Sequence, residues 1–482
     1  MLGFLNRSDG SLSRRIFRSG VFVLVSTLVV NLLTLIRQIA LARMLFPEAF
    51  GVMSICAIIL RGVNVFTEMG LAPALIYRQQ GFEEAKDTAF TLGVLRGVAL
   101  ASVLFFIAPY IGNFYEEKGL RLFLRVISVA LVLDGFRNIN IVALQKQIDF
   151  KRISIMEQLV AVVSTIGIIA LAWYLRSVWA LVLGHVFTSA VHVGSSYLVV
   201  PGKVRFRFNR RIAGELFNYG KFITGMSIVF FLVTEMDNAV IGKMLGMEML
   251  GYYVVAFLLA NLPVTYISRA ASRLMFPAYA ELQSRSEALQ HSYLLSVRFV
   301  TAVTVPAAFG LMVLAPEIIG LVYGQKWMPA VAPLQILAYF GACRSITSLN
   351  GYLLNGIGRP NVNFYISLLR FGLLPVLLIT FTRNWGMPGA AAAVLVPIAI
   401  QLLLSLIAVC RFTGTQLLDV IKSIGLWAVC SAAMAGVLFA VKSTLQITIP
   451  ILIFLVLLGV GIYLLLTGRR LMTLIKHARE LI

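Results

Sequence analysis

The chain has 482 residues, of which 60% are hydrophobic and only 13% are charged, whereas soluble domains are about 45–50% apolar and about 25% charged. This composition excludes a water-soluble globular protein. The net charge of +21 would favour nucleic-acid binding in a soluble chain, so the positions of the 41 Lys and Arg residues decide its meaning.

Fourteen apolar stretches follow one another, each close to the roughly 20 residues that a helix needs to cross a hydrocarbon core. They lack the alternating polar pattern of an outer-membrane barrel, so helices are needed to satisfy the backbone internally. We therefore predict an all-α, polytopic membrane protein and a surface helix over 278–296. The predicted spans are Gly20–Ala42, Phe50–Leu71, Ala89–Tyr110, Leu122–Leu144, Ile153–Leu175, Val178–Val199, Phe222–Met244, Leu250–Ile267, Phe299–Leu321, Pro333–Leu354, Phe364–Phe381, Gly389–Cys410, Ile424–Val441 and Ile449–Leu466.

The basic residues concentrate on one predicted side of the membrane. With a cytoplasmic N-terminus, the densest group falls in an inside loop, and this excess is the positive-inside pattern. That group comprises Lys203, Arg205, Arg207, Arg210 and Arg211. An even number of spans then places both termini in the cytoplasm. We interpret the basic group as topogenic, with recognition of anionic lipid as the alternative, and we expect no nucleic-acid partner.

An internal duplication organises the chain. Residues 200 positions apart are identical at pairs that include Gly20/Gly220, Thr34/Thr234, Met44/Met244, Leu45/Leu245 and Gly51/Gly251. We predict two parallel six-helix lobes, 1–200 and 201–412, followed by two further helices and a basic tail in 413–482. Because each lobe has an even number of helices, equivalent helices run the same way, which suits alternating access to a central cleft.

Charged residues inside predicted spans are candidates for function, because each costs roughly 2.5–3.5 kcal/mol on insertion scales. Basic residues outnumber acidic ones by eight to four, which indicates a cavity suited to an anion such as phosphate. For any single arginine the alternative is an ion pair or a helix-end anchor. The candidate cavity residues are Arg37, Arg61, Arg96 and Arg344, with Arg269 and Arg273 at the inner end of span eight.

Four further residues are candidates for gating or ion coupling. Asp134 and Arg137 are three apart on one predicted helix, so they can instead neutralise each other on a shared face. Glu235 and Asp237 should point to different faces of span seven. Under the duplication Asp237 takes the position of Arg37, and we hypothesise that these two pair, or compete with substrate, at one gate.

Signatures of enzymes are missing from the sequence. It contains no Walker A motif for nucleotide binding, and no Ser/His/Asp or acidic cluster stands in a sizeable outside loop. His185 and His192 could form a proton relay, but packing or polar bonding between helices is the explanation that we prefer. The four cysteines suggest no metal site. We predict a protein without catalytic residues, metal or cofactor, with H⁺ or Na⁺ as the candidate coupling ion.

Several segments resemble Wzx-type flippases of the multidrug/oligosaccharidyl-lipid/polysaccharide exporter superfamily. They are Arg37–Leu45, Phe50–Val52, Met236–Leu245, Leu250–Tyr253 and Arg273–Ala280. Together with the helix count and the duplication, the resemblance covers most of the chain. It is closest to the branch that handles colanic acid and related exopolysaccharides.

This resemblance implies a bacterial inner-membrane protein that flips an undecaprenyl-diphosphate-linked oligosaccharide to the periplasmic leaflet. Its expected partners are that substrate, membrane lipids, and polymerase and chain-length components of the same pathway. One alternative is a drug/cation antiporter of the same superfamily, whose cavity should favour acidic residues. Another is a membrane polymerase or ligase, which would need a sizeable periplasmic loop.

Overall fold

The chain is helical along the part that the structure describes. The computed structural model describes residues 9–67, 71–77, 81–147 and 149–480, and none of these residues lies in a β-strand. The predicted all-α class is therefore confirmed. A π-helical turn (Ile318–Tyr323) and a 3-10 turn (Gln325–Ala330) precede α13. The α-helices in the described part are α1 (Asp9–Met44), α2 (Pro47–Phe66), α3 (Leu71–Tyr77), α4 (Phe82–Phe114), α5 (Leu120–Ile127), α6 (Val129–Gly135), α7 (Ile141–Lys146), α8 (Phe150–Leu175), α9 (Val178–Val199), α10 (Arg210–Met244), α11 (Met247–Leu282), α12 (Ser286–Glu317), α13 (Val331–Gly356), α14 (Pro360–Thr413), α15 (Leu417–Lys442) and α16 (Ile449–Glu480).

Most of the long helices are suited to a lipid environment. Among the described residues, nine helical stretches are long and apolar enough to cross a membrane. Their outward faces carry large apolar side chains such as Phe106 and Leu465, which are 71% and 87% exposed. Such exposure fits a hydrocarbon surrounding, and the chain is a multi-pass membrane protein. The number of fourteen crossings stays a prediction, and α14 covers predicted spans eleven and twelve with a backbone break at Gly386 (φ 61°, ψ −140°).

The predicted fourth span, Leu122–Leu144, is wrong as a single helix. Helix α5 ends at Ile127 and α6 ends at Gly135, and the chain then turns into the short α7. Asn138 supplies the reason, because its backbone N–H donates to Ser196 Oγ at 3.1 Å. Its side-chain amide also donates to the carbonyl oxygens of Ser196 and Val200, at 3.4 and 3.3 Å. This buried amide holds the turn against the end of α9.

Close backbone packing joins α6 to α4. A Cβ atom added at Gly97 would lie 2.5 Å from the carbonyl oxygen of Leu131, and one at Gly135 would lie 2.8 Å from that of Gly93. Only glycine permits such an approach without displacing the neighbouring backbone. The glycines of α4 therefore set how deeply the shortened fourth span packs into its unit.

The end of α6 also corrects the predicted relation between Asp134 and Arg137. Asp134 lies on α6, but Arg137 follows the last residue of that helix, so the two do not share a helical face. No ion pair within 4.0 Å joins their side chains among the described contacts. The Nε atom of Arg137 is buried and has no hydrogen-bond partner in the described part of the chain.

The predicted surface helix over 278–296 is also wrong. Helix α11 continues to Leu282, and α12 begins at Ser286 after a turn of three residues. In that turn the N–H of Arg285 donates to the carbonyl oxygen of Leu282 at 2.9 Å. Tyr279 and Tyr293, one on each helix, are both fully buried in the same apolar cluster as Leu353. Packing of these aromatic rings therefore makes the segment a helical hairpin instead of a separate surface helix.

The chain divides into two units, Met1–Glu235 and Met236–Ile482, by the contacts within each. In unit 1 an apolar cluster that includes Leu45, Ala172 and Leu181 joins α1, α2, α8 and α9. In unit 2 the cluster described above joins α11, α12, α13, α14 and α15. The predicted lobe boundaries at residues 200 and 412, and the duplication that they express, stay a prediction.

Candidate functional site

Two groups of polar side chains lie within the helical units, one in each. We call the first the α2 site; it comprises Arg61, Asn64, Thr67, Arg96 and Glu235. We call the second the Asp237 cluster; it comprises Asp237, Tyr253, Asn261, Arg344, Arg370 and Gln401. Both groups are surrounded by apolar helices, so each charge needs a partner or access to water.

An ion pair between two helices forms the centre of the α2 site. Nη2 of Arg61 donates to Oε2 of Glu235 at 2.9 Å. The Arg61 side chain is 56% exposed, whereas that of Glu235 is 13% exposed. The guanidinium group is therefore held on one side and remains accessible on the other.

Aromatic packing places Glu235 opposite Arg61. Phe231 and Glu235 are four residues apart on α10, so they lie on one face of that helix. The ring of Phe231 meets the ring of Phe66 edge to face at a centroid distance of 6.2 Å. Phe66 is the last residue of α2. Its contact with Phe231 therefore sets the position of α10 along α2 and places the Glu235 carboxylate beside Arg61.

Arg96 of α4 has a different role in the same site. Its Nη2 atom donates to the carbonyl oxygen of Asn64 at 2.8 Å and to Asn64 Oδ1 at 3.0 Å. Its Nε atom donates to Thr67 Oγ1 at 3.1 Å. A cation is stabilised at the C-terminal end of a helix, where carbonyl groups are left unpaired. Arg96 therefore anchors α4 to the end of α2.

The carboxylate of Asp237 is buried and fully engaged within unit 2. Its Oδ2 atom accepts from the hydroxyl of Tyr253 at 2.8 Å, and its Oδ1 atom accepts from the N–H of Asn238 at 2.8 Å. Asp237 is 5% exposed and Tyr253 is 0% exposed. As predicted, Glu235 and Asp237 contact different helices, α2 and α11.

Two arginines accompany that carboxylate. Nη1 of Arg344 donates to Asn261 Oδ1 at 3.0 Å, and Nη1 of Arg370 donates to Gln401 Oε1 at 3.3 Å. The guanidinium of Arg370 also lies 6.0 Å from the ring centre of Phe340. Both arginines interact electrostatically with Asp237 and with each other.

The Asp237 cluster therefore contains two guanidinium groups and one carboxylate. A neutral amide oxygen accepts a hydrogen bond from each arginine, so these contacts do not cancel the second positive charge. Nε of Arg370 is buried without a hydrogen-bond partner in the described part of the chain. Such an arrangement can attract an anion, because guanidinium groups bind phosphate oxygens strongly where water is scarce.

The other predicted site residues lie at separate positions in the fold. Arg37 is half-buried on α1, and within the described part of the chain its side chain has no hydrogen-bond or ion-pair partner. Asp134 is exposed at the end of α6, and Arg137 is half-buried beyond it. The side chains of Arg269 and Arg273 lie outside the described residues. Arg37, Asp134 and Arg137 make no described contact with the α2 site of their own unit.

Sequence reasoning missed part of the Asp237 cluster. Arg370 lies inside the predicted span Phe364–Phe381, but it is not among the candidate cavity residues. Tyr253, Asn261 and Gln401 were not considered, although amides inside long apolar runs are themselves costly to bury. Each charge of the cluster is paired with an amide or a hydroxyl on another helical segment. These pairings could not be predicted from the linear sequence.

The family of the chain follows from its match to known proteins. A family described as polysaccharide biosynthesis proteins matches residues 40–332, which is more than half of the chain. The chain belongs to this family. The resemblance to polysaccharide transporters that its motifs indicated is thereby confirmed.

Two curated members and one solved structure illustrate how similar this family member is to others. The teichuronic acid biosynthesis protein TuaB of Bacillus subtilis (strain 168) is 26% identical over 75% of this chain and 76% of its own length. The lipopolysaccharide biosynthesis protein WzxC of Escherichia coli (strain K12) is 24% identical over 74% of this chain and 73% of its own length. The lipid II flippase MurJ in its inward closed conformation has a TM-score of 0.73 at 17% identity, covering 94% of this chain and 99% of that one. At that identity the likeness to MurJ establishes the fold alone.

Proposed function

We propose that the chain flips an undecaprenyl-diphosphate-linked oligosaccharide from the cytoplasmic to the periplasmic leaflet of a bacterial inner membrane. It does so by alternating access of two six-helix lobes, with both termini in the cytoplasm and without covalent chemistry. Membership of a polysaccharide biosynthesis family and the MurJ-like fold support this function. Polymerase and chain-length components of the same pathway are its proposed partners.

The observation that carries the proposal is the surplus of guanidinium groups within the helical units. Two arginines interact electrostatically with one carboxylate in the Asp237 cluster, and Arg61 of the α2 site is half exposed although it is paired. A diphosphate carries the complementary charge, and its oxygens match the fork of a guanidinium group. A cation substrate would be repelled by the same surplus, which disfavours the drug/cation antiporter.

Arg61 is the residue best placed to exchange partners during transport. Its exposed edge is free to take a phosphate oxygen while its Nη2 atom still holds Glu235. Full capture of the diphosphate would release the carboxylate, which could then bind a coupling ion. We therefore propose Glu235 as the site of the coupling ion, H⁺ or Na⁺. The roles of Arg37, Arg96, Arg344, Arg269 and Arg273 in substrate binding, and the pairing of Arg37 with Asp237, stay predictions.

The test is a strain from which the gene has been deleted, scored for lipid-linked oligosaccharide trapped on the cytoplasmic leaflet. We expect the wild-type gene to clear the trapped substrate and Arg61→Ala to leave it in place. Loss of one charged hydrogen-bonding partner should reduce the rate about tenfold to hundredfold. Membrane abundance of each variant is measured in parallel by immunoblot.

The matched control is Arg383→Ala, which removes an exposed arginine between predicted spans eleven and twelve. It should restore transport fully. Equal loss in both variants would contradict a specific role for Arg61. A deletion strain that accumulates no trapped substrate would contradict the flippase function itself.

A further inference from the structure

The link between α9 and α10 has a regular pattern that the proposed function does not use. We call residues 201–209 the strap. No described residue of the strap is helical, and its sequence alternates basic and apolar residues over Lys203–Phe208. Gly202 (φ +111°) turns the chain out of α9, and a Cβ atom there would lie 2.9 Å from Nδ2 of Asn140. Alternation with a period of two is the pattern of an extended segment with two different faces.

Hydrogen bonds from the backbone hold the strap along α4. The N–H of Arg205 donates to Asp87 Oδ1 at 3.2 Å, and the N–H of Arg207 donates to Thr91 Oγ1 at 3.0 Å. Two residues of extended chain span about 6.6 Å, and four helical residues rise about 6 Å. The two spacings match, so the strap lies extended on the helix with alternate residues bonded to successive turns.

The apolar face of the strap is only partly covered. The ring of Phe206 lies 5.3 Å from that of Phe90 and 6.5 Å from that of Phe136. Even so, Phe206 is 67% exposed and Phe208 is 56% exposed. Two large aromatic side chains thus stand outward beside the start of a predicted membrane span.

The basic face of the strap has no acidic partner. At the start of α4, Glu83 pairs with Lys86, and Asp87 is used by the strap backbone; Glu84 is exposed. Farther along, Arg211 pairs with Glu215 at 3.2 Å. Within the described part of the chain, no hydrogen bond or ion pair is made by the side chains of Lys203, Arg205, Arg207 and Arg210.

We propose that the strap is a binding site for the phosphate-bearing headgroups of anionic phospholipids in the cytoplasmic leaflet. Its basic side chains bind the headgroups, while Phe206 and Phe208 enter the boundary between headgroups and acyl chains. Binding clamps the strap against α4 and so fixes the junction between α9 and α10. This inference is independent of the transported substrate.

The combination of the two faces selects a lipid as the occupant. Free phosphate would satisfy the guanidinium groups but would leave the two phenylalanines in water. An anionic leaflet satisfies both, because basic residues are attracted to its surface potential and aromatic rings favour the interface. Topogenesis requires the charges alone, and it gives no reason for the hydrogen-bonded alignment on α4.

Native mass spectrometry of the full-length chain in detergent tests the site, with phosphatidylglycerol, phosphatidylcholine and inorganic phosphate as separate probes. We expect phosphatidylglycerol to bind more tightly than phosphatidylcholine. The triple variant Lys203→Gln/Arg205→Gln/Arg207→Gln should weaken it by about fivefold per charge, or about a hundredfold in total. Its backbone bonds to α4 are retained, so the fold should be preserved, and gel filtration checks this.

Two further variants make the test specific. Arg411→Gln/Arg469→Gln/Arg470→Gln removes the same number of exposed charges elsewhere and should leave phosphatidylglycerol binding unchanged. Thr91→Val keeps every charge but removes the acceptor of the Arg207 N–H, and it should weaken binding severalfold.

Three results would overturn the proposal. The first is an equal loss of binding in the two triple variants, and the second is unchanged binding in Thr91→Val. The third is displacement of phosphatidylglycerol by inorganic phosphate, which would assign the site to a free anion instead.

Discussion

Units 1 and 2 both hold arginines among apolar helices, but they satisfy these charges in different ways. In unit 1 Arg61 meets Glu235 one to one and stays half exposed, while Arg96 is tied to a helix end. In unit 2 a single buried carboxylate interacts electrostatically with both Arg344 and Arg370, and an amide oxygen accepts one hydrogen bond from each arginine. The α2 site is therefore accessible, and the partner of Arg61 can be exchanged. The Asp237 cluster, in contrast, is part of the packing of its unit.

This difference teaches that a charge inside a membrane protein has more than one use. A half-exposed pair contributes little to stability, and it is free to exchange partners with a ligand. A buried group of unlike charges is costly to disturb, because removal of one member leaves the others without compensation. Substitutions in the two units should consequently separate stability from transport.

The largest effect is expected for Asp237→Leu. Two half-buried arginines lose the carboxylate with which they interact electrostatically, and the Tyr253 hydroxyl loses its acceptor. We expect the free energy of unfolding to fall by about 3–5 kcal/mol. Thermal unfolding in detergent measures the loss. Asp237→Asn removes the charge but keeps an acceptor for the Tyr253 hydroxyl, so its loss of unfolding free energy should be smaller. Equal losses in the two variants would show that the hydrogen bond from Tyr253 does not stabilise the protein.

The next effect is expected for Arg96→Met, which keeps much of the apolar stem but removes three donated hydrogen bonds. The carbonyl oxygen and side chain of Asn64 and the hydroxyl of Thr67 lose their cation. We expect a loss of about 1.5–3 kcal/mol in the same unfolding measurement. Arg96→Lys should recover part of it. If neither variant changes stability, Arg96 does not anchor α4 to α2.

A double-mutant cycle tests whether the Asp237 cluster acts as a unit. Asp237→Asn and Arg370→Gln should not be additive, because each removes part of one electrostatic network. We expect a coupling energy of about 0.5–3 kcal/mol from unfolding of the single and double variants. The same cycle between Asp237→Asn and Glu235→Gln should be additive, since those carboxylates contact different helices.

The smallest effect on stability is expected for Arg61→Gln. The Arg61 side chain is 56% exposed in its pair with Glu235, so its removal should change the free energy of unfolding by less than about 1 kcal/mol. The rate of transport, measured by release of trapped lipid-linked oligosaccharide in the deletion strain, should nevertheless fall about tenfold to hundredfold. A variant that is both fully active and fully stable would show that the exposed guanidinium has no part in transport.

The helical class and most span positions could be predicted because a helix that crosses a membrane needs a run of about 20 apolar residues. The fourth span could not, since its end depends on Asn138, whose partners Ser196 and Val200 lie about sixty residues away. For the same reason Arg137 was placed on a helix that ends before it. Local apolarity does not report where a distant polar group will stop a helix.

The sequence by itself determined that this protein lives in a membrane, is built of helices and carries more arginines than carboxylates within its apolar stretches. These properties depend on composition and on runs of neighbouring residues, because the hydrocarbon core of a membrane accepts any helix that is long and apolar enough. Only the tertiary structure decided which charged side chains pair with one another, which bind the end of a helix and which remain accessible. Those outcomes depend on contacts such as Arg61 with Glu235 and Asp237 with Tyr253, and the packing of helices alone brings such residues together.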